Sequence, residues 1–281
     1  MNRGTHELIA MKASEINEDI IRMRRHFHMY PELSGEEKET SRFVTRRLRA
    51  LGMEVQSGVG GYGVVGILKG GKPGSVIAWR ADMDACAMQE ESNKPYKSRI
   101  DNVMHLCGHD AHTAIALGIA EVLASVKGEL CGAVKFIFQP DEENGMGALR
   151  MMADGALENP RPSAIYGLHQ GSLGANQSYM ETGKLSLHYG TVLFGADKLN
   201  IRLKTEKPGI NTWAEQERLI YELSRINRLR NKLARGRFMI WLISGYSKKV
   251  AMTKLAKLIC WHTLGMPRRN TVTTSETGWQ K

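Results

Sequence analysis

Cysteine, long apolar runs and, in its last third, acidic side chains are all scarce in this chain of 281 residues. The four cysteines, Cys86, Cys107, Cys131 and Cys260, are irregularly spaced and form no CxxC pair. Between Met1 and Lys12 there is no apolar core of signal-peptide length. Reduced thiols in a cytoplasm are therefore the expectation, and a disulfide framework is not. No stretch approaches the roughly 18 apolar residues of a membrane span; the longest candidate, Phe238 to Ile243, is far too short. No internal repeat is visible. The shortage of acids is local. Residues 1–196 hold 21 basic and 23 acidic side chains, net −2, whereas residues 197–281 hold 18 and 6, net +12. The whole-chain charge of +10 taken alone suggests an anionic partner, but all of the excess belongs to the last 85 residues. A hydrophobic fraction of 42% excludes global disorder.

What is present is an alternation of helical and strand patterns. Ile16, Ile20, Met23 and Phe27 recur at helical spacing, and Pro31 stops that helix. Ser34 followed by Glu37 reads as a capping box for a second helix, with Thr40, Phe43, Val44, Leu48 and Leu51 as its apolar stripe and Gly52 as its C-cap. Gly63 to Leu68 and Val76 to Trp79 read as strands separated by a Gly/Lys/Pro turn. A third helix is expected from Ala111 to about Ser125, a buried strand over Val134 to Phe138, a short helix over Gly147 to Ala153 and another buried strand over Ala164 to Leu168. The pattern predicts an α/β domain with a largely parallel, covered sheet, in which sites lie at the carboxyl ends of strands. From Trp213 to Ala234 the pattern is helical and very basic; after Gly245 no clear period can be read.

Four clusters carry chemistry. Met104 to His112 holds a thiol, Cys107, and an imidazole, His109, two residues apart, with Gly108 permitting a tight approach. It reads either as a metal site or as a buried cysteine beside surface histidines. Gln139 to Gly145 carries Asp141, Glu142 and Glu143 directly after a strand. Such acids are commonly a solvated loop, but adjacent carboxylates can also divide cation binding from proton transfer. His169 ends the next strand, where a single histidine is more often structural than a ligand. Asp82 and Asp84 follow a third strand; acids there suit either a turn or a hydrogen bond to a metal-bound histidine. Together the set describes a metal-assisted hydrolase. The rival is a nucleophilic pair of Cys107 with His109 or His112. Nearby carboxylates favour the metal, because they raise a thiol's pKa whereas a cation lowers it.

The clusters, taken in order, resemble a known family. Arg24-Arg25-His26-Phe27-His28 with Pro31-Glu32-Leu33, Arg80-Ala81-Asp82-Met83-Asp84-Ala85, Met104 to His112, Pro140-Asp141-Glu142-Glu143 and Gly167-Leu168-His169 match motifs of the metal-dependent amidohydrolases that include hippurate hydrolases, N-acyl-amino-acid amidohydrolases and auxin-conjugate hydrolases. These are relatives of the aminoacylases and metallocarboxypeptidases. The likeness covers about residues 14–204. It implies the catalytic domain of a di-metal aminopeptidase-like fold and two divalent ions of manganese, zinc or cobalt. Cys107, His109, Glu143 and His169 match ligand positions, Glu142 the general base, and Asp84 a supporting position; His105 and His112 match the motif without a definite role. The implied substrates are small N-acyl amino acids such as hippurate, with no nucleic acid and no membrane as partner.

The resemblance also divides the chain. Residues 1–183 read as the N-terminal part of the catalytic domain and 184–204 as the start of a lid, through which a homo-oligomer would form if the lid were intact. Family members are longer: a Gly-rich lid segment bears a histidine, and the returning half supplies one more ligating histidine. Here Thr205-Glu206-Lys207-Pro208-Gly209 stands where the former is expected, and Cys86-Ala87 where Leu-Pro is more usual. Residues 205–281 read as an atypical basic helical tail, frame-shifted or replaced. Two further readings remain beside the amidohydrolase: an inactive remnant that still binds metal, and a basic-tail binder of nucleic acid or membrane surfaces. For the latter a merely solvated face is the simpler account.

Overall fold

A computed structural model describes residues 3–170, 194–203, 221, 225, 239–247 and 253–263, of which 3, 194–203, 239–247 and 253–263 are described as backbone only. The chain forms two compact units, Met1–Tyr179 and Met180–Lys281.

In the first unit, helices α1 (Arg3–Glu15), α2 (Asn17–Met29) and α3 (Lys38–Ala50) precede strands β1 (Glu54–Val59), β2 (Gly63–Lys69) and β3 (Lys72–Asp82). Helix α4 (His109–Ser125), β4 (Cys131–Gln139), α5 (Gly147–Ala153) and β5 (Ala164–Gly167) follow. The strands form one sheet in the order β1-β2-β4-β3-β5. β4, β3 and β5 pair in parallel, and β2 runs antiparallel to both of its neighbours, so four of the five strands point one way. The fold is α/β with a mostly parallel sheet, as the alternating pattern predicts.

Strand alternation divides the interior into two clusters. Phe136 and Phe138 of β4, with Val64 and Leu68 of β2, pack against Met23 and Phe27 of α2, Val44 and Leu48 of α3, and Leu117 of α4. Val65, Ala78 and Ile137 instead join Met151 of α5 and Ala156. Lys135 shares that second side. It is almost fully buried and donates from Nζ to the carbonyls of Ala156 at 3.0 Å and Glu158 at 2.6 Å.

Several sequence expectations are corrected. Ser34 does not cap α3. The helix begins at Lys38, and its first-turn amides of Glu39 and Thr40 donate to the Glu32 carboxylate at 2.9 and 2.8 Å. β5 is an exposed edge, not a buried strand: Ile165 and Tyr166 keep 55% and 53% of their surface, since among the described residues the strand pairs with β3 alone. α1 and β1 lacked a periodic signal strong enough to predict them, and β3 is longer than its apolar stretch.

In the second unit, β6 (Phe194–Leu203), β7 (Met239–Ser247) and β8 (Thr253–Thr263) make an antiparallel sheet in the order β6-β8-β7. Of the expected basic helix, only Tyr221 and Arg225 are described, both helical; the rest, like the Thr205 to Gly209 segment, lies outside the described residues. β7 and β8 show that the tail is not helical throughout. No described helix is long and apolar enough to cross a membrane.

Candidate metal centre

The parallel strands β3, β4 and β5 send their carboxyl ends to one edge of the sheet, where ligand sites of such sheets lie. Asp82 ends β3 and Asp84 follows it; the Asp141–Glu143 loop follows β4; His169 follows β5. The fourth contribution comes from the start of α4. There Gly108 adopts φ +85°, and a side chain at that position would press on Gln170 Oε1 at 2.7 Å, so glycine both permits the turn and leaves room for the close approach.

His109 is the common element. Its ring is 1% exposed. Nδ1 lies 2.9 Å from the Asp84 carbonyl and 3.1 Å from Asp84 Oδ1, so it is the donor. Nε2 is buried and makes no hydrogen bond, with Asp82 Oδ2 at 3.5 Å and Glu142 Oε2 at 4.0 Å. Around it, one ligand-type atom each from Cys107, His109 and His169 lies within 4.8 Å of the others, and the same holds for His109, Glu142 and Glu143. Cys107 Sγ is 3.5 Å from His169 Nε2, while His169 Nδ1 donates to the Gln170 carbonyl at 2.8 Å. All four residues that match ligand positions, together with Glu142 and Asp84, thus meet at one edge.

The acids and the thiol of this edge draw positive charge onto its imidazoles. Burial opposes protonation of His109, yet Asp84, Cys107 and Asp82 push its pKa up to about 11. The imidazoles of His109 and His169 hold the Cys107 thiol below its usual range against burial. Cys107 in turn raises His169 to about 8, again against burial. Burial lifts Glu142, with Glu143 and Asp82 adding to the rise and His109 opposing it. A divalent cation fits this donor set. The thiol, imidazole and carboxylate types are those that bind zinc-like ions, and the unpartnered Nε2 faces them.

In the sequence, Asp82 reads as a turn acid or a partner of a metal-bound histidine, Ser34 as a helix cap and Cys86 as a departure from the family motif; the structure gives each a partner at this edge. Asp82 accepts from His112 Nδ1 at 2.6 Å and pairs with Arg80 at 2.7 Å; against burial, these hold its carboxyl far below the usual range. The i, i+2 spacing of Asp82 and Asp84 at a strand end was the available signal. His112 accepts the Gln170 amide on Nε2 at 2.7 Å, so both of its ring nitrogens are engaged. Cys86 donates to Glu143 Oε1 at 3.2 Å. His105 is buried with neither nitrogen bonded, and burial pushes its pKa down to about 4. The arrangement can hold cations and place a carboxylate, Glu142, beside them.

Comparison with known proteins agrees with this reading. The sequence pattern described as peptidase family M20/M25/M40 matches residues 78–254, past the Lys204 point at which recognisable motifs stop. Thermostable carboxypeptidase 1 of Saccharolobus solfataricus is 44% identical over 157 residues, 55% of this chain and 40% of that protein. The N-acyl-L-amino acid amidohydrolase of Geobacillus stearothermophilus is 36% identical over 200 residues, 71% of this chain and 52% of that protein. The solved structure of the Bacillus subtilis YxeP protein, described as a dinuclear metal binding peptidase from the M20 family, superposes with a TM-score of 0.65 at 30% identity. That likeness covers 90% of this chain and 66% of the other. The chain spans about half the length of the curated relatives it matches.

Proposed function

This chain belongs to peptidase family M20/M25/M40, and on that footing we propose that it is a metal-dependent amidohydrolase that cleaves the amide bond of N-acyl amino acids, hippurate among them. Cys107, His109, Glu143 and His169 would hold two divalent ions of manganese, zinc or cobalt. The observation that carries the reading is His109, whose buried Nε2 is unbonded and which belongs to each of the three groups of ligand-type atoms among the described residues. When bound, such ions polarise the amide carbonyl and lower the pKa of the attacking water. Glu142 takes a proton from that water on its carboxylate and returns it to the departing amine nitrogen. Its burial and acidic neighbours suit it to carry a proton. Asp84 keeps Nδ1 of His109 as the donor, which leaves Nε2 for the cation. The free thiols of Cys86, Cys107 and Cys131 are compatible with a reducing, cytoplasmic setting.

Hydrolysis of hippurate and N-acetyl amino acids, with Mn²⁺ or Zn²⁺ supplied, tests the proposal. Glu142→Gln is expected to abolish turnover while the protein retains its metal. Retained turnover would remove Glu142 as the base. Metal bound without turnover in the unaltered chain would leave the inactive-remnant reading, and absence of any bound transition metal would end both.

A further inference from the structure

The loop between α2 and α3 has no part in the proposed chemistry, yet it reaches both sides of the metal centre. Leu33 forms a β-bridge with Ala85, and the Ala85 amide donates to the Glu32 carbonyl at 2.8 Å. These contacts lay the loop alongside the segment that follows β3. Ser34 Oγ then donates to Asp84 Oδ2 at 2.6 Å, across 50 residues of chain. Three residues on, the fully buried Glu37 accepts the amides of Gly35 at 2.8 Å and Asp141 at 2.7 Å on one oxygen. Asp141 opens the loop that bears Glu142 and Glu143, and its φ of +56° is one that few non-glycine residues adopt.

The effect converges on Asp84. Its Oδ2 receives the Ser34 hydroxyl and, at 2.9 Å, the Glu143 amide. Its Oδ1 and its main-chain carbonyl receive His109 Nδ1. One carboxylate therefore fixes both the His109 ring and the main chain of Glu143. With donors from three separate segments it cannot rotate without breaking a hydrogen bond. Without Ser34, Oδ2 keeps a single donor, and the terminal torsion of Asp84, which is intrinsically broad, is held less tightly. Helix capping does not account for Ser34, because the α3 amides are satisfied by Glu32.

We infer that Ser34 is a positioning residue of the metal centre: through Asp84, its hydroxyl sets His109 and Glu143 in place for the cation. The inference rests on the metal-site reading above. Partners that orient metal ligands typically contribute 10- to 100-fold in affinity, and Ser34 stands one contact further out, so a loss of about tenfold is expected.

The test is competition of the full chain against a chelator for Co²⁺ alone, with the variants Ser34→Ala, Ser34→Thr, Asp84→Asn and the double variant Ser34→Ala/Asp84→Asn. Ser34→Ala should weaken Co²⁺ binding about tenfold, Ser34→Thr should recover most of the loss, and Ser34→Ala should add nothing once Asp84 is already Asn. Unchanged Co²⁺ affinity in Ser34→Ala, or losses that add in the double variant, would overturn the inference. No Co²⁺ binding by the unaltered chain would instead strike down the metal reading itself, before any variant is compared.

Discussion

The helix-covered face of the sheet and its carboxyl edge use the same strands for opposite ends. On the covered face, Phe136 and Phe138 of β4 are wholly buried in one apolar cluster with Leu48, Val44 and Leu117. At the edge the buried side chains are Asp82, Asp84, His105, His109, Asp110 and His112, and two of the imidazoles keep unbonded nitrogens. Burial on the face removes apolar surface from water and stabilises the fold. Burial at the edge removes charge and polarity from water, which costs free energy unless partners or a cation compensate. The strand period assigns a residue to a face, whereas chain direction assigns it to an edge. Stability and function therefore separate along one and the same strand.

Four substitutions bear on that separation. Phe136→Ala has the largest expected effect: about 3–5 kcal/mol lost in denaturant unfolding, from the cavity it leaves, with the Co²⁺ affinity of the folded fraction unchanged. A parallel loss of metal affinity would mean that face and edge are not independent. Asp84→Asn should do the converse, weakening Co²⁺ binding by roughly 10- to 100-fold in chelator competition. Glu32→Ala removes the acceptor of two α3 amides and should cost about 1 kcal/mol in the same unfolding measurement.

The mildest effect concerns pH. His28 of α2 is buried, 2.7 Å from Asp110 Oδ2 and 3.2 Å from Glu90 Oε1. The Asp110 hydrogen bond raises its pKa above 6.5, with Glu90 adding to the rise while burial and Arg24 oppose it. A pKa raised by folding contributes stability that is complete below 6.5 and fades as pH climbs through the higher folded-state value. Unfolding free energies measured from below to above that pH should show the decline. His28→Gln should flatten it, and an unchanged slope would assign the pH dependence elsewhere.

Much of this was legible in the sequence, for a physical reason. Short polar clusters marked Cys107 with His109, the Asp141 to Glu143 run and His169, the last two because a parallel sheet delivers its strand ends to one place; the choice of Glu142 and Glu143 and the separate roles came from the family resemblance. Ser34 was misread because its spacing to Glu37 satisfies a local helix-start template, whereas its hydroxyl is used 50 residues away. Local patterns cannot register such a contact. β5 looked buried because its residues are apolar, but edge position is set by strand order and not by composition. The strands β7 and β8 were missed because neither alternates cleanly: Met239 to Ile243 is an unbroken apolar run, and so is Leu258 to Trp261.

The strand order also has a consequence in time. β3 waits for partners on both sides, and its pairing with the segment leading into β5 joins Val76 to Ser163, 87 residues apart. During synthesis, Asp84 and His109 emerge first, Glu143 later and His169 last. At ribosomal rates of about 5–20 residues per second, His169 follows Glu143 by roughly one to five seconds. Closing the longest loops comes late on entropic grounds as well. The apolar face can consolidate while the edge still lacks an imidazole, so with the proposed ligand set capture of a cation would belong to the end of folding and not to its beginning.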